Sequence, residues 1–327
     1  MARSLVSTLH TNSVVQTSIG AGPTLYPILG IEDYHVDPKI QDEVNRSGGD
    51  HRPSHIFMES YAPEVTWSCS DLANALAHID HLDGKGVGLA AGGLAGDFIS
   101  FYFVKKQHSP TVSLPARLAG SVHTQAKSFT SYTFLEEITA QQGSHAVARF
   151  RTVTAWDATN EPIIFAGSSA LPSGISNLTE MFKLGKWDIQ GSNIDGVIGM
   201  TYRTGITVDV TFAGGDHRPS FISQKTREPV IELTTTELPL FTTLTPAGAK
   251  GTTAVAGYLY KTDETGNVTA DATATHLKFT CSANSYRNSP GAITVRQNEN
   301  LTWTVMIKPM HDGSLKEVVL STASAVS

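Results

Sequence analysis

Apolar residues in this chain recur mostly at every second position, the period of strands with one face buried. Val65, Trp67 and Cys69 alternate with Thr66 and Ser68. Ile206, Val208, Val210 and Phe212 share one face of the cleanest strand, over 205–212, with Thr207, Asp209 and Thr211 on the other. The same pattern predicts strands over 98–106, 116–125, 129–138, 146–156 and 163–168. It predicts a second set over 230–235, 254–261, 277–283, 292–297, 301–307 and 317–321, with turn residues at the junctions. Residues 39–47 read as one more strand. A single stretch changes period. Leu72, Ala73, Ala75, Leu76 and Ile79 have helical spacing behind a Ser70-Asp71 start signal, which predicts a short amphipathic helix over 70–82.

The pattern occurs twice. Residues 48–56 read Gly-Gly-Asp-His-Arg-Pro-Ser-His-Ile, and residues 214–222 repeat eight of the nine at an offset of 216 − 50 = 166. Pro63, Val65, Asp71 and Leu72 fall on Pro229, Ile231, Glu237 and Leu238 at that offset. Phe101-Tyr102-Phe103 aligns with Tyr258-Leu259-Tyr260 at 258 − 101 = 157, and Ile163-Ile164-Phe165 with Val318-Val319-Leu320 at 318 − 163 = 155. The shrinking offset assigns extra residues to the first copy, in the glycine-rich run 84–96, which reads as a loop. An internal duplication follows. The expected fold class is mainly β with minor α: two tandem homologous β-sandwich or rolled-sheet domains, each with a short flanking helix. The second helix, after Thr236-Glu237-Leu238, is cut short by Pro239. The expected division is an N-terminal arm over 1–25, a first β domain over 26–170, a connection over 171–185 with a helical turn around 177–182, and a second β domain over 186–327. The arm is polar and reads equally as a disordered start or as a segment that orders against a neighbouring subunit.

The length of 327 residues agrees with two domains, each long enough for its own core. Charged residues at 17% and aromatics at 8% mark a globular composition. The net charge is −6 and no long basic run occurs, so the footprint of a protein that grips nucleic acid is missing. The first residues lack the apolar core of a signal peptide, and no apolar run is long enough to cross a bilayer. Cys69 and Cys281 sit in strand-like contexts in different copies and suit a protein assembled in the cytosol.

Candidate chemistry is sparse. Asp50, His51 and His55 are the residue types of a metal or catalytic site, but His55 is Phe221 in the second copy. Retention of the turn in both copies is better explained by its backbone shape: Gly-Gly permits positive φ, and the Arg before Pro is pushed toward extended geometry. A hydrolase built on Asp50/His51 and Asp216/His217 is one reading. His78 and His81 around Asp80 have a metal reading, with a solvated helix end as the favoured one. No nucleophile elbow, His-Glu-x-x-His pair or Cys-x-x-Cys pair occurs. An enzyme, a metal or a cofactor is therefore not expected.

A duplicated β unit with a helix and an N-terminal arm resembles the phage tail tube proteins of the trimeric, duplicated-domain type found in long non-contractile tails. The resemblance covers about 26–325 and rests on the duplication and the element order. It implies a structural virion protein whose three subunits form a pseudo-hexameric ring, with rings stacked into the channel that conducts DNA during genome ejection. It implies self-association, tape measure and tail terminator proteins as partners, passage of viral DNA without specific binding, no membrane, and assembly in the bacterial cytoplasm. Under it, Asp50, His51, Arg52, Asp216, His217 and Arg218 become candidate contact residues. Gly86, Gly88 and Gly92 of the glycine-rich run, and the arm, become candidates for contacts between rings. The face carrying Thr207, Asp209 and Thr211 is a candidate lumen face. The alternative is a β-sandwich module binding carbohydrate or a receptor through an aromatic groove, although Trp67, Trp156, Trp187 and Trp303 all read as core.

Overall fold

A computed structural model describes residues 8–18, 25–46, 55–87, 98–107, 116–172, 180–194, 196–237, 250–263, 265–294, 301–311, 313 and 316–326. The N-terminal half begins with strands β1 (Thr8–Ser18), β2 (Leu25–Ile28), β3 (Ile31–Asp37), β4 (Ile40–Asn45), β5 (His55–Tyr61) and β6 (Glu64–Cys69). Helix α1 (Leu72–His78) and β7 (Lys85–Val87) follow. The half ends with β8 (Ile99–Gln107), β9 (Ala116–Arg117), β10 (His123–Ser128), β11 (Ser131–Gln141), β12 (Val147–Thr154) and β13 (Ile164–Ser169). The C-terminal half holds β14 (Met181–Ile189), β15 (Ser192–Ile194), β16 (Val197–Arg203), β17 (Thr207–Phe212), β18 (Pro219–Thr226) and β19 (Val230–Thr235). It closes with β20 (Val255–Thr262), β21 (His276–Cys281), β22 (Tyr286–Thr294), β23 (Thr302–Pro309) and β24 (Val319–Ser324). The fold is mainly β, its sheets antiparallel, with one helix among the described residues.

The two halves follow one strand order. Sheet β2-β1-β8-β10-β13 of the first half has the same sequence of neighbours as β15-β14-β20-β21-β24 of the second. Eight further strands form one long sheet, β22-β23-β19-β16-β11-β12-β6-β3, whose first four strands come from the second half and last four from the first; β7 adds to it by pairing with β11, and β4–β5 and β17–β18 are separate two-stranded sheets. Ladder irregularities coincide as well. The β3–β6 shift between Ile31 and Asp33 reappears 197 − 31 = 166 residues on, between Val197 and Gly199 of β16. β10 and β21 each open on a buried histidine at a shift against the neighbouring strand. Nδ1 of His123 accepts the Lys105 N–H at 3.0 Å, and Nδ1 of His276 accepts the Lys261 N–H at 3.1 Å. Nε2 then donates to the carbonyl of Leu118 or Ala270, so each ring replaces a lost ladder bond.

Both smaller sheets pack on one face of the long sheet, around a single contiguous core. Val65, Trp67 and Phe150 meet Ile99 and Phe101 from one side, and Tyr202, Leu233, Trp303 and Val305 meet Trp187 and Phe279 from the other. The expected pair of cores is one. Register also corrects the aligned aromatics. Phe101 pairs with Ala126, whereas its counterpart Gly257 pairs with Phe279, an offset of 257 − 101 = 156. The large and small members of the pair are exchanged, and Trp187 fills the space over Gly257, its ring 2.3 Å from where a Cβ would stand.

Other expectations change too. Residues 8–18 are no free arm: β1 pairs with β8 on one side and β2 on the other. A strand held through its main-chain ladder needs no apolar alternation, which is why the polar sequence hides it. Met181 to Gly185 is not linker but strand, with Phe182 buried in β14 rather than in a helical turn. The strand expected over 116–125 is broken by a turn at Gly120 (φ +83). β22 starts at Tyr286, six residues before the expected 292, because Asn288, Ser289 and Pro290 mask its pattern. The helix is shorter than 70–82, ending as Ile79 turns extended. Gly86 lies in β7, while 88–97 and the expected second helix fall outside the described residues.

Gly257→Ala forces a methyl into the Trp187 ring. The expected cost is about 1–3 kcal/mol, the range for overpacking a filled core, read as a lower midpoint in denaturant unfolding followed by tryptophan fluorescence. An unchanged midpoint would show that this packing is looser than described.

Candidate functional site

The face of the long sheet turned away from the core is polar. Burial alternates strictly along β6, β19 and β23, so Glu64, Thr66, Ser68, Glu232, Thr234, Thr302 and Thr304 point outward while their neighbours are buried. In β11 the alternation slips. Leu135 and Ile138 are both fully buried, three positions apart, and the ladder to β12 shifts between Leu135 and Glu137. The extra residue lets Glu136 and Glu137 both face outward, where regular alternation would drive one into the core. Thr204 satisfies the bulge, its hydroxyl donating to Leu135 O at 2.5 Å and its N–H to Glu136 O at 3.1 Å.

These acids meet arginines from neighbouring strands. Arg149 pairs with Glu136 at 3.1 Å, and Arg151 with Glu64 at 2.5 Å and Glu136 at 3.8 Å. Arg203 bridges Glu232 at 3.0 Å and Glu137 at 3.5 Å, across the junction of the two halves. Lys39 also pairs with Glu64, at 2.5 Å. Such exposed pairs add little stability, but they match four cations with four glutamates, a cluster without surplus positive charge.

That junction is a continuous ladder. β11 pairs with β16 through Glu137↔Arg203, Ile138↔Tyr202, Thr139↔Thr201, Ala140↔Met200 and Gln141↔Gly199. Two further contacts lock it. The hairpin β17–β18 reaches across and lays Ile206, Ile222, Val208 and Val210 on Tyr132, Phe134, Val153 and Ala155. The second copy of the repeated turn forms its tip, with Gly214 and Gly215 at φ +67 and +77. Asp216 Oδ1 accepts the Arg218 N–H at 3.0 Å and closes the turn, with His217 Nδ1 3.5 Å away. The tip docks on the first half: Tyr61 N–H donates to His217 O at 2.7 Å, and Trp156 N–H to Pro219 O at 2.8 Å. The Arg218 guanidinium lies 4.9 Å over the Trp156 ring and pairs with Glu161 at 3.1 Å.

The other lock follows α1. Asp80 accepts Lys316 Nζ at 2.6 Å and the N–H groups of Leu82 and Asp83 at 2.9 and 3.0 Å. Arg227 links Asp83 to Glu317, and His81 Nε2 lies 2.8 Å from Val318 O. The expectation of a solvated helix end is thereby overturned at His81, which is buried because it caps a C-terminal strand approach. Burial would raise the Asp80 carboxyl, but the Lys316 and backbone hydrogen bonds outweigh it and hold it at about 2.

The long sheet ends on two unlike edges. Among the described residues β3 pairs only with β6, and β22 carries on its far side a single bridge, Arg287↔Lys250. By position in the strand order these edges are the counterparts of β16 and β11, the strands already joined at the junction.

Of the sequence candidates, Asp216, His217 and Arg218 come together at the hairpin tip, whereas Asp50, His51, Arg52, Gly88 and Gly92 lie outside the described residues. The Thr207, Asp209 and Thr211 face belongs to the two-stranded hairpin rather than to the long sheet, so its alternation reflects a hairpin packed on one side. Trp67, Trp187 and Trp303 are buried, but Trp156 is half-buried beneath Arg218 rather than core. Cys69 and Cys281 are buried free thiols, and burial pushes the Cys281 thiol up to about 12. Among the described residues no group of three His, Cys, Asp or Glu side chains is placed to hold a metal, and no helix is long and apolar enough to cross a membrane. The arginine–glutamate face escaped sequence reading, although the acid pair Glu136-Glu137 between Leu135 and Ile138 signals the bulge. Comparison with protein-family models and with curated proteins finds no match.

The lowered Asp80 carboxyl fixes a pH dependence. A group whose folded value lies below its unfolded one contributes stability above the unfolded value and loses it as pH falls through the folded one. Acid unfolding should therefore remove the Asp80 contribution as pH drops from about 4 to about 2. Asp80→Asn should lower stability at neutral pH, where the carboxylate contributes in full, and flatten that limb of a stability–pH curve, so that variant and parent converge near pH 2. An identical acid limb in the variant would assign it to other carboxylates.

Proposed function

We propose that this chain is an internally duplicated phage tail tube subunit that closes head to tail into rings. The observation that carries the reading is the order of the long sheet. It contains one junction of a β16-type edge with a β11-type edge, and it ends on one unused edge of each type, β3 and β22. A contact between different edges closes a ring when the rotation permits, and closure removes edges that would otherwise pair indiscriminately.

Register for the next junction follows from the first. Ile138↔Tyr202 in β11–β16 corresponds to Ile293 against Val36 of a neighbour, because Ile293 faces Trp303 as Ile138 faces Ala148, and Val36 faces Val65 as Tyr202 faces Ile231. Three chains, the number that the tail tube resemblance implies, would contribute eight strands each to a barrel of 3 × 8 = 24. The polar part of that face, outside the strips covered by hairpins, is then the wall of the channel. Tight binding of a duplex depends on cations that displace its counterions. Arg149, Arg151 and Arg203 of this wall are paired with glutamates, which favours passage over retention. Tape measure and tail terminator proteins are the further partners in this reading, with the virion tail as location and the bacterial cytoplasm as place of assembly.

The test is negative-stain electron microscopy over a concentration series, with light-scattering mass on the same samples. Rings or tubes with a central channel and a mass in multiples of three chains are expected. A monomer at every concentration, with and without a tail initiator complex, would transfer preference to the β-sandwich binding module.

A further inference from the structure

The two hairpins that leave the long sheet are built alike but are not partnered alike. β17–β18 crosses the junction and is packed on the first half. β4–β5 is its counterpart, with the ladder shift at Gln41/Asp42 standing 207 − 41 = 166 residues before that at Thr207/Val208. It pairs with no other strand, and its apolar side chains are exposed: Ile40 48%, Val44 40%, Ile56 62% and Met58 42%. Ile40, Val44 and Ile56 occupy the places of Ile206, Val210 and Ile222, the residues that pack in the other hairpin.

We propose that β4–β5 is a docking arm that seats on the outer face of β22–β23 in a second copy of this chain. The occupied hairpin serves as template. Its seat on β11–β12 is Tyr132, Phe134, Val153 and Ala155, and the same ladder positions on β22–β23 are Arg287, Ser289, Lys308 and Met310. The chemistry of arm and seat changes together. Val208, which packs on the apolar seat, is replaced by Asp42 in the free arm, and the facing seat gains Arg287 and Lys308. Among the described residues neither cation has an ion pair and neither does Asp42. Ile56, Val44 and Met58 supply apolar area against Met310 and Met306. An apolar arm fits the apolar seat within the chain, and a mixed acidic–apolar arm fits the basic seat of the next, so neither hairpin is favoured in the wrong seat. The arm leaves the sheet beside β3, the edge against which β22 of a neighbour would lie, so it reaches the seat by crossing that junction as β17–β18 crosses its own.

The proposal rests on the head-to-tail reading, and its test separates the two. Met58→Cys with Met310→Cys, treated with a short bismaleimide under conditions that give rings, should yield a ladder of crosslinked dimers and trimers on a denaturing gel; each single variant should not. The native thiols are buried. Adding Arg287→Glu and Lys308→Glu should lower crosslinking roughly tenfold, the scale of two exposed ion pairs turned repulsive, and Asp42→Lys should restore it. Rings without the ladder overturn the arm and leave the ring standing. Neither rings nor ladder overturns both. A ladder unaffected by the charge changes overturns the complementarity on which the choice of seat depends.

Discussion

The main-chain ladder between β11 and β16 is the constraint on which the rest depends. Without it the chain would be two sandwiches on a tether. With it, eight strands become one sheet, and both smaller sheets share one core. The ladder needs β11 to turn two successive acids outward, which the bulge at Glu136 permits, and it needs the carbonyls freed by the bulge to find donors, which Thr204 supplies. The hairpin and the Asp80–Lys316–Arg227 cluster then fix the two halves at one angle. The junction is held at three points, by backbone, apolar and ionic contacts.

A junction between like units has a consequence for the ends of the sheet. In the proposed ring the rotation that relates one half to the other would recur at β3 and β22, which hold the same places in the strand order as β16 and β11. A sheet with such ends is an unfinished repeat. Burying its edges in a copy of itself costs no new design, since backbone pairing is indifferent to most side chains.

Much of the strand inventory was legible because one buried face imposes period two: β6, β12, β17 and β19 sit within a residue or two of their expected limits. The second copy of the nonapeptide, 214–222, was legible as a turn because glycines at positive φ have few substitutes. What escaped reading was held by backbone rather than by side-chain pattern. β1 and the start of β22 have polar sequences and are defined by their neighbours. The exchange of Phe101/Ala126 for Gly257/Phe279 misled the alignment, since bulk is kept across a pair while position is not. The arginine–glutamate face was hidden for a related reason, because its members come from strands far apart in sequence and meet only once register is known.

Divergence between the halves is concentrated where it would discriminate partners. Several core ladders keep the same register and shifts, as β3–β6 with β16–β19 and β10–β13 with β21–β24. The hairpins do not: one is apolar against an apolar seat, and the other carries Asp42 in the place of Val208, with Arg287 and Lys308 on its proposed seat. Two identical arms with two identical seats could exchange, so that a chain folded on itself and a chain folded on its neighbour would compete, as in domain swapping. Making one arm acidic and its seat basic lifts that degeneracy while the shared strand order keeps the geometry common. Under the proposed docking, the chain would finish its own fold with β17–β18 before β4–β5 met another copy, and folding and assembly would be successive steps.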